Sequence, residues 1–192
     1  MHFMNMKNIH GLIERLSNLV RSEVRQGGKG PSLLPVHLEA LHYLSICNRY
    51  SNTPQAVADY LGITKGTASQ TIRVLERRGL LTRSPDSRDG RMVHLHLTPE
   101  GYTLVESHIP AQVFRRAGEF LTPFEINQLN SGLTALLRSV QKGNGMKSFG
   151  ACHTCRYNSQ RPEGYFCLMT REPLSPDDVR RICREHEIPT LG

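Results

Sequence analysis

Apolar residues recur at spacings of three and four from residue 7 to residue 26, where Ile9, Leu12, Ile13, Leu16, Leu19 and Val20 share one stripe of an amphipathic helix. The run "GGKGP" at residues 27–31 ends it. A second helix is expected from about Pro35 to Arg49, with Leu38, Leu41 and Leu44 on its apolar face. Cys47, three residues after Leu44, is expected to be a buried core thiol. Thr53-Pro54, Thr98-Pro99 and Thr122-Pro123 each place a hydroxyl at a helix N-cap and proline at the first helical position. Glu125 follows Thr122 by three residues and completes a capping box. Long helices are thus predicted over 99–119 and 123–141, and "KGNGMKS" at 142–148 is read as a flexible hinge.

Between these helices the pattern changes. Pro54 to Leu61 forms a short helix, Gly62 a turn, and Thr64 caps a second helix closed by Gly79, which is helix-turn-helix spacing. Ala68, Ile72 and Leu75 occupy the inner face of that second helix. Lys65, Thr67, Ser69, Gln70, Arg73 and Arg77 fall largely on the outer face, a set of hydroxyls, an amide and cations suited to base edges and phosphates of a major groove. Val93, Leu95 and Leu97 then alternate with His94 and His96 as a half-exposed strand, after a charged turn around Gly90. A helix-turn-helix followed by such a hairpin is a winged helix. Arg88 and Arg91 at its tip suit a minor groove, with Asp86 and Asp89 orienting them. The two strand histidines, with no third ligand nearby, are read as surface residues.

Charge agrees with a nucleic-acid partner. The chain carries a formal +7, yet residues 147–192 hold seven Lys/Arg against six Asp/Glu, so the excess lies almost wholly in the first 146 residues. A hydrophobic content of 38% supports a real core. No apolar run reaches the roughly 18 residues of a membrane span, and the first residues lack the apolar centre of a signal peptide, so a cytoplasmic location without membrane contact is expected. No nucleophile–base pair or acidic dyad appears, and an enzyme is not expected.

Residues 7–142 resemble the MarR family of winged-helix transcriptional regulators. The resemblance is carried by the wing pattern Asp86-x-Arg88 with "RMV" after it, and by "LERRGLLTR" at residues 75–83. It implies a mainly α fold with a small β wing, and a homodimer whose first and last helices intertwine. Two reading helices would then enter successive major grooves of a palindromic double-stranded operator, most simply as a repressor. Members of the family usually respond to small ligands, but no residues of this sequence single out a ligand pocket. Oxidation-sensing members use a cysteine in the first helix, and this chain has none there.

The resemblance leaves residues 147–192 unexplained, and these are read as a second, small metal-stabilised module after a domain spanning 1–146. Four of the five cysteines lie there, as Cys152-x2-Cys155-x11-Cys167-x15-Cys183. A reducing compartment disfavours structural disulfides, so the cluster points to metal or redox chemistry, and a segment so poor in apolar residues needs folding energy from elsewhere. A Cys-x2-Cys pair followed by two separated cysteines suits a cubane cluster gripped from several sides. It resembles the high-potential iron-sulfur arrangement and the small cluster-binding subunits of some glycyl-radical enzymes. Ligation of a 4Fe-4S cluster by Cys152, Cys155, Cys167 and Cys183 is therefore expected. The alternative is a structural zinc site in which His186 replaces Cys167, since Cys183 and His186 are read as one turn apart on a short helix started by Ser175-Pro176. Two functions follow within one class: a regulator whose operator affinity tracks the cluster, or a ligand-responsive regulator with a structural zinc. An iron-sulfur electron carrier or enzyme subunit, using the winged helix for docking, is the competing class.

Overall fold

Hydroxyl caps set most helix starts in the computed structural model, which describes residues 2–26, 33–87 and 89–189. The side-chain oxygens of Thr53, Thr64, Thr98, Thr122 and Ser175 each accept the N–H three residues ahead. They open α3 (Pro54–Leu61), α4 (Lys65–Arg77), α5 (Pro99–His108), α7 (Pro123–Gly143) and α8 (Pro176–Arg180). Each such cap contributes about 1 kcal/mol by satisfying an otherwise unpaired donor. Ahead of these lie α1 (His2–Gln26) and α2 (Pro35–Ile46).

The predicted helix over 99–119 is two helices. It breaks at Ile109-Pro110-Ala111, and α6 (Gln112–Gly118) follows in a new direction. Pro110 has no N–H to donate and its ring disfavours helical backbone at Ile109, which is extended. The carboxylate of Glu23 on α1 accepts the Gln112 and Val113 N–H groups at 2.7 and 2.8 Å, so α1 supplies the cap that α6 lacks.

Tyr43 and Leu41 of α2, Ala56 and Val57 of α3, and Ala68, Ile72 and Leu75 of α4 form one buried core with Leu81 and Leu95. The last two belong to β1 (Leu81–Pro85) and β2 (Val93–Leu97), an antiparallel pair in the register Leu81 with Leu97 and Pro85 with Val93. Gly62, between α3 and α4, takes φ 63°, a conformation costly to any residue with a Cβ. It turns α4 across α3 with its apolar face inward. α1 and α7 are different: Leu12, Leu16 and Leu19, and Leu129, Leu133 and Leu137, all remain exposed within the single chain.

The chain after α7 folds back onto the α2–α3 corner. It forms an antiparallel three-stranded sheet, β3 (Asn158–Arg161), β4 (Gly164–Cys167) and β5 (Glu172–Leu174), which the sequence reading did not contain. Cys183 does not lie on a helix. α8 ends at Arg180, Arg181 is extended, and Ile182 makes bridges to Cys47 and Ala151. Here long-range pairing overrides local helix tendency, with Asn48 N–H donating to the Ile182 carbonyl at 2.9 Å and Ile182 N–H to that of Ile46 at 3.1 Å.

Candidate nucleic-acid interface and four-thiol site

The inner stripe of α4 is buried, so the outer stripe is fixed by helical geometry. Lys65, Thr67, Gln70, Arg73 and Arg77 are exposed and Ser69 is half-buried, which gathers the six predicted reading residues on one accessible face. Thr67 is partly engaged in the cap, its hydroxyl 2.9 Å from that of Thr64.

The wing owes its shape to its acids. Asp86 Oδ1 accepts the Asp89 N–H at 2.8 Å, and Asp89 Oδ1 accepts the Arg91 N–H at 3.0 Å, folding the turn that carries Arg91 outward. Arg88, the other predicted tip residue, lies outside the described residues. His94 is wedged between Asp86 Oδ2 at 2.8 Å and Asn52 Oδ1 at 2.6 Å, tying wing to α2–α3 corner, while His96 contacts Ser84 Oγ at 2.9 Å. The link from His94 to Asn52 needs tertiary proximity and carries no local sequence signal.

At the same corner the four tail cysteines come together. The Cys152 thiol is pushed up to about 11 by burial, with the thiols of Cys183, Cys155 and Cys167 all near enough to add to the effect. Cys183 is raised by burial, opposed by the side chain of Asn48, the backbone at Glu185 and the side chain of Ser51. Donors approach the other sulfurs too: Asn158 Nδ2 to Cys152 at 3.7 Å, the Thr170 N–H to Cys167 at 3.5 Å, and the Glu187 N–H to Cys155 at 3.4 Å. Asn48 is 1% exposed and its Nδ2 lacks a hydrogen-bond partner; the group it faces is the Cys183 sulfur. Such an unsatisfied buried donor is costly unless an acceptor completes it. Among the described residues no group of three or more His, Cys, Asp or Glu is arranged to hold a metal ion.

His186 is buried with both ring nitrogens engaged, Nδ1 with Ser148 Oγ at 2.7 Å and Nε2 with Thr154 Oγ1 at 2.9 Å. A Cβ on Gly150 would come within 2.7 Å of three atoms of this ring, so glycine is needed for the close approach. Cys47 is a buried core thiol pushed up to about 12 by burial, close to Cys183 but on the domain side.

Residues 33–92 match the family model described as "MarR family". The chain is similar to the HTH-type transcriptional regulator PecS of Dickeya dadantii, 31% identical over 93 residues, covering 48% of this chain and 55% of PecS. It is similar also to the uncharacterized HTH-type transcriptional regulator YkoM of Bacillus subtilis, 28% identical over 127 residues, covering 64% of this chain and 79% of YkoM. Among solved structures, MepR of S. aureus in complex with DNA superposes with a TM-score of 0.56 at 26% identity, over 68% of this chain and 96% of that one. FabT of Streptococcus pneumoniae, also in complex with DNA, gives 0.54 at 25% identity, over 71% of this chain and 98% of that one.

Proposed function

From a winged helix of the MarR type at residues 33–92, we propose that this chain is a homodimeric DNA-binding transcriptional regulator whose operator affinity depends on metal held by its four tail cysteines. One observation carries the DNA-binding half: the polar outer face of α4 and the Arg91 wing lie exposed together on a fold shared with proteins solved on DNA. Two long helices with exposed leucine rows, α1 and α7, support the dimer, because such rows are stable only when covered. α4 inserts its first turns into the major groove, Gln70 and Arg73 meet base edges, and Lys65 and Arg77 meet phosphates. Regulation rather than catalysis is the role that the named relatives share. Among the described residues, no helix is long and apolar enough to cross a membrane.

For the tail, Cys152, Cys155, Cys167 and Cys183 are the donor set assigned to the metal group, and a polar group near each sulfur supports that reading. A single zinc ion with bonds of about 2.3 Å draws its thiolates to about 3.8 Å of one another. A 4Fe-4S cluster takes one thiolate at each iron corner of a cube, and a close Cys152/Cys155 pair followed by the two separated cysteines Cys167 and Cys183 supports the cluster. The hydroxyls on both His186 nitrogens support four-cysteine ligation over the histidine alternative. When bound, the cluster supplies folding energy and sensitivity to iron, oxygen or nitric oxide.

The test has two arms. Anaerobically purified protein is expected to be brown, with about four iron and four sulfide per chain, and to bind a duplex selected from a random pool with an affinity falling steeply with salt. Zinc in place of iron would favour the structural-zinc regulator. A coloured protein that binds no duplex would favour an electron carrier.

A further inference from the structure

Arg184 carries the tail to the DNA-reading side of the molecule. Arg184 follows Cys183 directly, and its N–H donates to Ser51 Oγ at 2.9 Å, beside the same Cys183 sulfur that Ser51 and Asn48 approach. Its guanidinium grips Asp59 of α3, with Nε and Nη2 both 2.7 Å from Oδ2, while Nη1 pairs with the neighbouring Glu185. Asp59 is also held by Gln55 Nε2 at 2.6 Å, on the face of α3 that leads to its N-terminus. Arg184 thereby lines a cleft with Thr53 and Gln55 at the start of α3, Lys65 at the start of α4, and Arg91 and Met92 of the wing. These are the elements that flank a duplex read by α4, and three cations from three separate segments meet there. With Arg184 in place, the Asp59 carboxylate is ion-paired and drawn toward the tail. Without it, a negative charge stands beside the phosphate path.

We propose that Arg184 belongs to the DNA-contacting surface and is set there by the four-thiol site, so that losing the metal withdraws Arg184, uncovers Asp59 and lowers DNA affinity. The proposal rests on the reading of the chain as a metal-binding DNA regulator. The connection is short. Cys183 lies beside Asn48 and Ser51, the Ile182 N–H donates to the Ile46 carbonyl and its own carbonyl accepts from the Asn48 N–H, and the next residue is the Asp59 clamp. Metal ligation by Cys183 fixes this strap from one end, and the ion pair fixes it from the other. Signal transfer thus runs through the α2–α3 corner. Removing one phosphate-facing cation from each protomer of a dimer lowers the slope of log affinity against log salt by about 0.9 per cation.

The experiment titrates a fluorescent duplex, selected from a random pool with metal-loaded protein, against full-length wild type, Arg184→Gln, Cys155→Ser and the double variant at several salt concentrations. Metal content and thermal unfolding are measured in parallel. Arg184→Gln is expected to keep its metal, bind about tenfold more weakly and show a salt slope smaller by about two for the dimer. Cys155→Ser should lose metal and show the same loss, and the double variant should be no worse than either, because both remove one interaction. Adding Asp59→Asn to Cys155→Ser should recover several-fold in affinity by deleting the uncovered charge, a gain that misfolding does not produce. Additive losses, an unchanged slope in Arg184→Gln, or no recovery by Asp59→Asn would overturn the proposal. Wild type without metal, or without duplex binding, would instead overturn the reading beneath it.

Discussion

Phe149 pins the tail to the winged helix, and its replacement by alanine and by glycine should separate two opposed terms. The ring is 8% exposed in the main core, edge-on to Tyr60 at 5.2 Å and 78° and to Tyr43 at 5.9 Å and 83°. Deleting a buried phenylalanine costs about 3–5 kcal/mol, a total that includes aromatic pairs of about 0.5–1.5 kcal/mol each. Phe149 also takes φ 46°, the left-handed region, where a residue with a Cβ bears about 1–2 kcal/mol. Phe149→Ala loses the ring and keeps that strain, so about 4 kcal/mol of destabilisation is expected, a large fraction of a typical domain's stability. Phe149→Gly loses the ring but relieves the strain. Glycine in an ordinary strand or helix is about 0.5–1 kcal/mol worse than alanine; here it should equal alanine or exceed it by up to about 1 kcal/mol. Urea unfolding of both variants at one protein concentration, followed by circular dichroism, measures the two differences. An alanine variant within about 0.5 kcal/mol of wild type, or a glycine variant below alanine by the ordinary margin, would refute this account of how the tail is held.

Other consequences are open to direct measurement. Arg91→Ala should weaken duplex binding and flatten its salt dependence while the protein remains a dimer by sedimentation; unchanged affinity at physiological salt would remove the wing from the interface. Deleting residues 1–26 strips α1, uncovers the N-terminus of α6 and should give monomer or aggregate without palindrome binding, so a folded monomer that still binds tightly would contradict the dimer. His37, His42 and His186 are all held below 6.5, in each case chiefly by burial, so the folded state binds fewer protons than the unfolded state below that value. Stability should therefore be intact above about pH 6.5 and decline as pH falls through it, and a melting temperature flat from pH 7 to 5 would deny that burial.

What the sequence alone determined are the features written in short-range chemistry. Threonine before proline marks three helix starts, and each is capped as expected. The three- and four-residue spacing within α4 decided which side chains face outward, because helical period leaves one choice once Ala68, Ile72 and Leu75 are inside. Alternation in Val93 to Leu97 decided the wing strand in the same way. Pro110 was also legible: its local rule splits 99–119, although the reading from the Thr98-Pro99 start carried one helix across it. The tertiary structure alone decided the rest. The sheet of β3, β4 and β5 has few apolar residues and only a tight turn before Gly164 to announce it, so periodicity had nothing to detect. Cys183 left its helix because Ile182 found hydrogen-bond partners at Ile46 and Asn48, far away in sequence. Asn48, Ser51, Asp59 and Phe149 carry no motif. Their roles exist only because the tail folds onto the α2–α3 corner, a contact whose free energy comes from groups that are distant along the chain and adjacent only when folded.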